Sequence, residues 1–210
     1  MSTPSDHLSA AFLPAFLAGM SVNFAIASIA LGIGLALGAL FAIARLRGGW
    51  LALAAGSVIA LMRAAPTFVI MFFLLNALPQ GAGLPGALIV AGALVPYATA
   101  YVSDNGTKAI DQWRDGSALG ALLFLPNIAR AFFVLVMSSS AGAAIGVHEG
   151  IAVLLHEAEH LHATGDKLIL FAIGVACFGI PLQATLAATR FLQDHLGARS
   201  MRDRGKIAKP

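Results

Sequence analysis

Charged residues are missing from three long stretches of this chain: between Asp6 and Arg45, between Arg63 and Asp104, and between Lys167 and Arg190. A helix needs about 20 apolar residues to cross a hydrocarbon core of ~30 Å, and a charge at its centre costs several kcal/mol. The stretches therefore read as membrane spans. Five are expected, near residues 22–44, 50–78, 84–103, 124–147 and 168–190. The expected fold class is all-α, a polytopic membrane protein with a transmembrane bundle over 22–196, an outer segment over 1–21 and a basic tail over 197–210.

The cations set an orientation. With the amino terminus outside, Arg45, Arg47, Lys108, Arg114, Arg130, Arg190 and the tail fall on the cytoplasmic side, and Lys167 alone falls outside. The outer loops then carry Glu149, Glu157, Glu159 and Asp166 instead, and the placement of the lysines and arginines selects this orientation by the positive-inside rule. A composition of 59% hydrophobic and 11% charged residues, with a mean hydropathy of +0.84, is far from that of a soluble globular domain. The pI near 9.4 follows from the inner loops and tail, which suits anionic lipid headgroups and gives no sign of nucleic acid. The first twenty residues hold no lysine or arginine to begin a signal peptide. The single cysteine, Cys177, excludes an intramolecular disulfide and a cysteine-rich metal site.

The second apolar segment is too long for one straight span, since Trp50 to Leu78 would make a helix of ~45 Å. Pro66 cannot donate to the previous turn and disfavours helix at Ala65, so a break is expected at Arg63-Ala64-Ala65-Pro66. The first half would lie at the inner interface, the second half would cross, and Arg63 would snorkel or pair at the boundary. Leu78 to Gly86 reads as a short outer turn.

The run RAAPTFVIMFFLLNALP, Arg63 to Pro79, resembles the arginine, small residue, threonine, proline signature of the polar amino-acid ABC transporter permeases. Residues 16–48 resemble that family's first helix, and SSSAGAAIGVHEG, Ser138 to Gly150, is similar to its threonine-serine, isoleucine-glycine-valine and glutamate stretch. The final helix, with Ile180-Pro181-Leu182, also fits. The resemblance covers most of residues 13 to 196 and makes Arg63, Pro66, Thr67, Gly146 and Glu149 signature positions.

In that family the loop before the fourth helix carries a glutamate-alanine-alanine motif that forms a coupling helix docked on the ATPase. DQWRDGSALG, Asp111 to Gly120, aligns with it in part. Arg114 stands at the glutamate, Asp115 and Gly116 replace the alanines beside Trp113, and Gln112, Ala118, Leu119 and Gly120 agree. Leu125-Pro126 follows at once, so the second half of the coupling region is missing, and Gly116 weakens helix by about 1 kcal/mol relative to alanine. A generic cytoplasmic loop is the alternative.

No Gly-rich, Lys-Ser/Thr nucleotide loop occurs. The resemblance thus implies a chain that binds no cofactor, with ATP and Mg on ATP-binding partner subunits. It also implies a second permease, with a heterodimer favoured by the damaged loop, an extracytoplasmic substrate-binding protein, and a bacterial inner membrane. Asn76, Tyr97, Thr99, Ser138, Ser139 and Ser140 place polar groups within apolar spans. Such groups either satisfy backbone carbonyls or line a substrate path, and Ser140 at the family's threonine-serine position points to the path. No carboxylate is expected inside the bundle to serve as a coupling-ion site.

A competing signal is His156-Glu157-Ala158-Glu159-His160, which satisfies the H-E-x-x-H pattern. His156 and His160 would share a helix face and could hold zinc, with Glu157 as general base. A third ligand could come from His148, His162, Glu149 or Asp166. The plain alternative is an amphipathic outer helix whose Ile151, Val153, Leu154, Leu155 and Leu161 face lipid. Gly34 and Gly38 form a G-x-x-x-G pair, but the small-residue content of the chain accounts for it without a packing role. A non-coupling structural or regulatory subunit is the remaining reading.

Overall fold

A computed structural model of the chain describes residues 11–78 and 83–207. They form eight α-helices: α1 Phe12–Leu46, α2 Gly49–Ala64, α3 Thr67–Ala77, α4 Gly86–Arg114, α5 Ala118–Leu122, α6 Phe124–Ser139, α7 Gly150–His160 and α8 Thr164–Ile207, with a 3-10 helix at Ser140–Ile145 after α6. No strand occurs among the described residues. The chain is an all-α, multi-pass membrane protein by architecture. Four helical stretches are long and apolar enough to cross a membrane, and five if α2 and α3 together count as one span.

The helices exceed the expected spans. α1 starts at Phe12, so residues 12–21, expected in an outer segment, are its first three turns. Residues 1–10 of that segment, and residues 79–82 of the expected outer turn, lie outside the described residues. α4 continues to Arg114, eleven residues past the apolar run; Gly106 keeps helical backbone within it, and the helix stops before Gly116, whose φ of 81° turns the chain. α8 runs without a break past the expected span into the basic tail.

The second apolar segment does break where proline requires. Ala65 takes an extended conformation, φ −74° and ψ 120°, and α3 begins at Thr67. The expectation that the second half crosses by itself is corrected by its length. Eleven residues rise only about 16 Å, half of a hydrocarbon core.

Two compact units share these helices. The first takes described residues up to 30, 67–94 and 134–182; the second takes 31–66, 95–133 and 183–207. In the first, Phe16, Met71, Leu135, Leu154 and Leu170 are buried, and Phe16 meets Phe178 edge-on at 5.9 Å. α7 lies on α8 because Gly174 has no side chain there: a Cβ on it would come 2.4 Å from Leu154 Cδ1. Leu154 and Leu161 are therefore buried in protein, and the expectation that they face lipid is corrected. Leu155, 47% exposed, keeps that role.

In the second unit α1 and α4 touch backbone to backbone. A Cβ on Gly34 would sit 2.4 Å from Ala98 Cβ, and one on Gly38 2.6 Å from Val102 Cβ. The G-x-x-x-G pair is a packing motif after all, because only glycine allows this approach. On α8, Val175 and Ile180 are 74% and 69% exposed, an apolar surface that water would penalise and lipid does not.

Candidate functional site

The first unit encloses a polar cluster that no apolar span was expected to hold. Asn23 of α1, Ser139 at the end of α6 and Glu149 before α7 are all fully buried. Asn23 Nδ2 donates to Glu149 Oε2 at 2.7 Å and to Ser139 Oγ at 2.8 Å, and its Oδ1 accepts from Gly150 N–H at 2.9 Å. Ser139 Oγ donates its own hydrogen bond to the Val136 carbonyl at 2.7 Å. α1 comes this close because Gly19, one turn before Asn23, has no Cβ to meet the Glu149 backbone.

Glu149 has a local role in the same place. Its two carboxylate oxygens accept from the backbone N–H groups of Ile151 and Ala152, at 2.9 and 2.8 Å, which caps α7 and puts negative charge at its amino end. Gly146, φ 81°, ends the 3-10 helix and lets the chain turn back toward this cap. Burial pushes the Glu149 carboxyl up from its ordinary 4.5, while the donors from Ile151, Asn23 and Ala152 pull it down. Desolvation wins because the group is removed from water. The expectation that no carboxylate lies inside the bundle is thus corrected. Asn23 is the residue sequence reasoning missed, and its signal was that it is an amide alone in an apolar run.

Beside this cluster, a cavity of about 580 Å³ is lined by Thr67, Phe68, Met137, Ser138, Ser140 and Ala141. Adjacent residues on a helix point about 100° apart, so Ser139 turns into the buried cluster while Ser138 and Ser140 line the cavity. Three hydroxyl-bearing residues set among apolar and aromatic groups give donors and acceptors without fixed charge, in a volume within the roughly 300–1,000 Å³ of small-molecule sites. The other expected path residues lie elsewhere. Asn76 donates to the Phe72 carbonyl of its own helix, and Tyr97 packs on Tyr101 with ring centroids 5.9 Å apart. Thr99 is buried with its hydroxyl unpartnered among the described residues, against the Gly34 and Gly38 approach.

In the second unit Asp104 joins three helices. One carboxylate oxygen accepts from Arg45 at 2.7 Å and the other from Arg63, the signature arginine before Pro66. Arg63 is a paired residue, 60% exposed at its side chain, and Arg45 lies deeper at 28%. The loop beyond α4 is small. Gln112, Trp113 and Arg114 end α4, Asp115 and Gly116 form the turn, and Gly120 sits in α5, a helix of only five residues. Ser117 caps it by accepting from Gly120 N–H.

His156 and His160 do share the outer face of α7, with ring centroids 4.9 Å apart. His160 Nδ1 is engaged with the His156 carbonyl at 2.9 Å. Among the described residues no three histidine, cysteine or acidic side chains converge on a metal position.

No family model and no curated protein matches this sequence. A solved structure described as the crystal structure of an amino acid ABC transporter with histidines matches the fold with a TM-score of 0.68. The match covers 88% of this chain and 95% of that chain at 18% sequence identity. The chain therefore has the fold of an amino acid ABC transporter chain.

Proposed function

We propose that this chain is a membrane permease subunit of an ATP-driven importer for polar or charged amino acids. The observation that carries the reading is a shared fold over nearly the whole of both chains with an amino acid ABC transporter. The hydroxyl-lined cavity at Ser138 and Ser140 supports it. In this reading the chain performs no chemistry. Two permease chains enclose the path, ATP and Mg are bound by separate ATPase subunits, and a soluble binding protein delivers the solute on the outer side of a bacterial inner membrane. Rocking of the helices about the cavity gives alternating access.

A second reading is favoured by one feature. α5 has five residues, too few for a stable helix against which an ATPase groove could push. The chain would then act in a heteromer whose second permease transmits most of the motion, or as a non-coupling structural subunit.

The cavity assignment is tested by thiol labelling. In a Cys177→Ala background, Ser140→Cys should react with a small maleimide and be protected by the transported amino acid. Protection absent for every amino acid tried would remove this cavity from the path.

A further inference from the structure

Two openings in the second unit share a wall. One is an apolar groove of about 350 Å³ between α1 and α4, lined by Ala39, Ala42, Ile43, Gly106 and Ile110 and closed by Ala109 and Phe124. The other is a polar cavity of about 140 Å³, formed by Asn105, Lys108, Gln112 and Asn127, which Ala109 and Phe124 also line. The small side chains at 39, 42, 106 and 109 leave space between the helices that a hydrocarbon chain can fill. Its lining is apolar throughout, and it lies along helices apolar enough to cross a membrane.

The polar end has a cation to spare. Lys108 is exposed and forms no ion pair among the described residues. Asp104, one turn earlier on α4, is already taken by Arg45 and Arg63, and Asp111, three residues on, is exposed and not part of the cavity lining. Asn127 uses one amide proton on Asn105 Oδ1 at 3.0 Å, which leaves a second for an acceptor. An apolar groove beside a polar cavity that holds an amide donor and an ammonium without an ion pair among the described residues has the polarity of an amphiphile with a negative head.

We propose that the groove and cavity form one binding site for an anionic glycerophospholipid, with an acyl chain along α1 and α4 and the phosphate on Lys108. Charge complementarity selects this occupant over an uncharged lipid, because a basic side chain at the membrane surface favours anionic lipid by about fivefold. The site is separate from the cavity at Ser138 and stands whether or not the chain transports amino acids.

Native mass spectrometry of the full chain, purified in a nonionic detergent and titrated with phosphatidylglycerol or phosphatidylcholine of identical acyl chains, tests this. The wild type should retain one phosphatidylglycerol about fivefold more readily than phosphatidylcholine. Lys108→Gln should bring the two to parity, Lys108→Arg should keep the preference, and Ala109→Leu, which fills the groove, should lose both adducts. Equal retention by the wild type, or a preference that survives Lys108→Gln, would overturn the proposal. So would retention of inorganic phosphate by the wild type with no phosphatidylglycerol adduct in its absence, which would assign the cavity to a free anion. Lys108 is exposed, so its two variants decide the claim even if Ala109→Leu fails to fold.

Discussion

Asn23 and Glu149, 126 positions apart, are joined by a buried hydrogen bond of 2.7 Å from the Asn23 amide to a Glu149 carboxylate oxygen. The bond ties the first membrane helix to the cap of α7, and the same amide also holds Ser139 and Gly150 N–H. An unpaired buried polar group costs about 1–3 kcal/mol, more when charged, so loss of the amide would expose the fold to that cost at each partner.

Asn23→Ala leaves three partners short of a hydrogen bond. It should destabilise the detergent-solubilised chain by about 2 kcal/mol or more, read from thermal unfolding against the wild type. Asn23→Asp, which faces one carboxyl with another, should cost at least as much. An Asn23→Ala midpoint indistinguishable from wild type would mean that water replaces the amide and that the cluster does not hold the helices together.

The raised Glu149 carboxyl gives this stability a pH dependence. A group whose pKa is higher in the folded state contributes stability that is complete below its unfolded value, here 4.5, and is lost as pH rises through the folded value. The stability difference between wild type and Glu149→Gln should therefore shrink as pH rises from 4 upward. A difference that grows with pH would show that the donors from Ile151, Asn23 and Ala152 outweigh desolvation.

Gly34 and Gly38 differ from Gly32 in a testable way. A Cβ on Gly32 meets nothing within 4 Å, whereas one on either of the others would overlap α4. Gly34→Val and Gly38→Val should each cost about 2 kcal/mol or more through forced separation of the helices, with Gly32→Ala close to neutral. Equal yields of folded protein from all three would contradict the close α1 and α4 packing.

Much of this was legible in the chain, because charge is the strongest constraint on a membrane helix. The three gaps located the apolar cores of α1, α4 and α8, and Pro66 located the break after α2. Helix ends were not legible, since a polar turn can continue a helix beyond the apolar run when its carboxylate is paired, as Asp104 is to Arg45 and Arg63. The Ser138 to Ser140 run was visible as polar, but which hydroxyl faces the cavity depends on helix phase. Asn23 was invisible for a related reason: an amide among apolar residues shows a need for partners without saying that they lie more than a hundred residues away. Gly34 and Gly38 were hidden by abundance, because a chain with 22 glycines offers many such pairs.

Orientation rests on the distribution of cations and has a direct check. In the Cys177→Ala background, single cysteines at Ser5 and Thr164 should label with an impermeant thiol reagent in intact cells, and one at Ser200 should label only after permeabilisation. Labelling at position 200 without labelling at 164 would reverse the topology.

The proposed function requires that an ATPase drive amino acids through this fold. The direct measurement is ATP-dependent uptake of radiolabelled polar and charged amino acids into proteoliposomes holding this chain, its ATPase and its binding protein, with and without a second permease. The account predicts uptake with the second permease present and little without it, because five-residue α5 makes an incomplete coupling element. Uptake by this chain alone with the ATPase would show that the short loop couples fully, and no ATP-dependent uptake in any combination would contradict the transporter assignment itself.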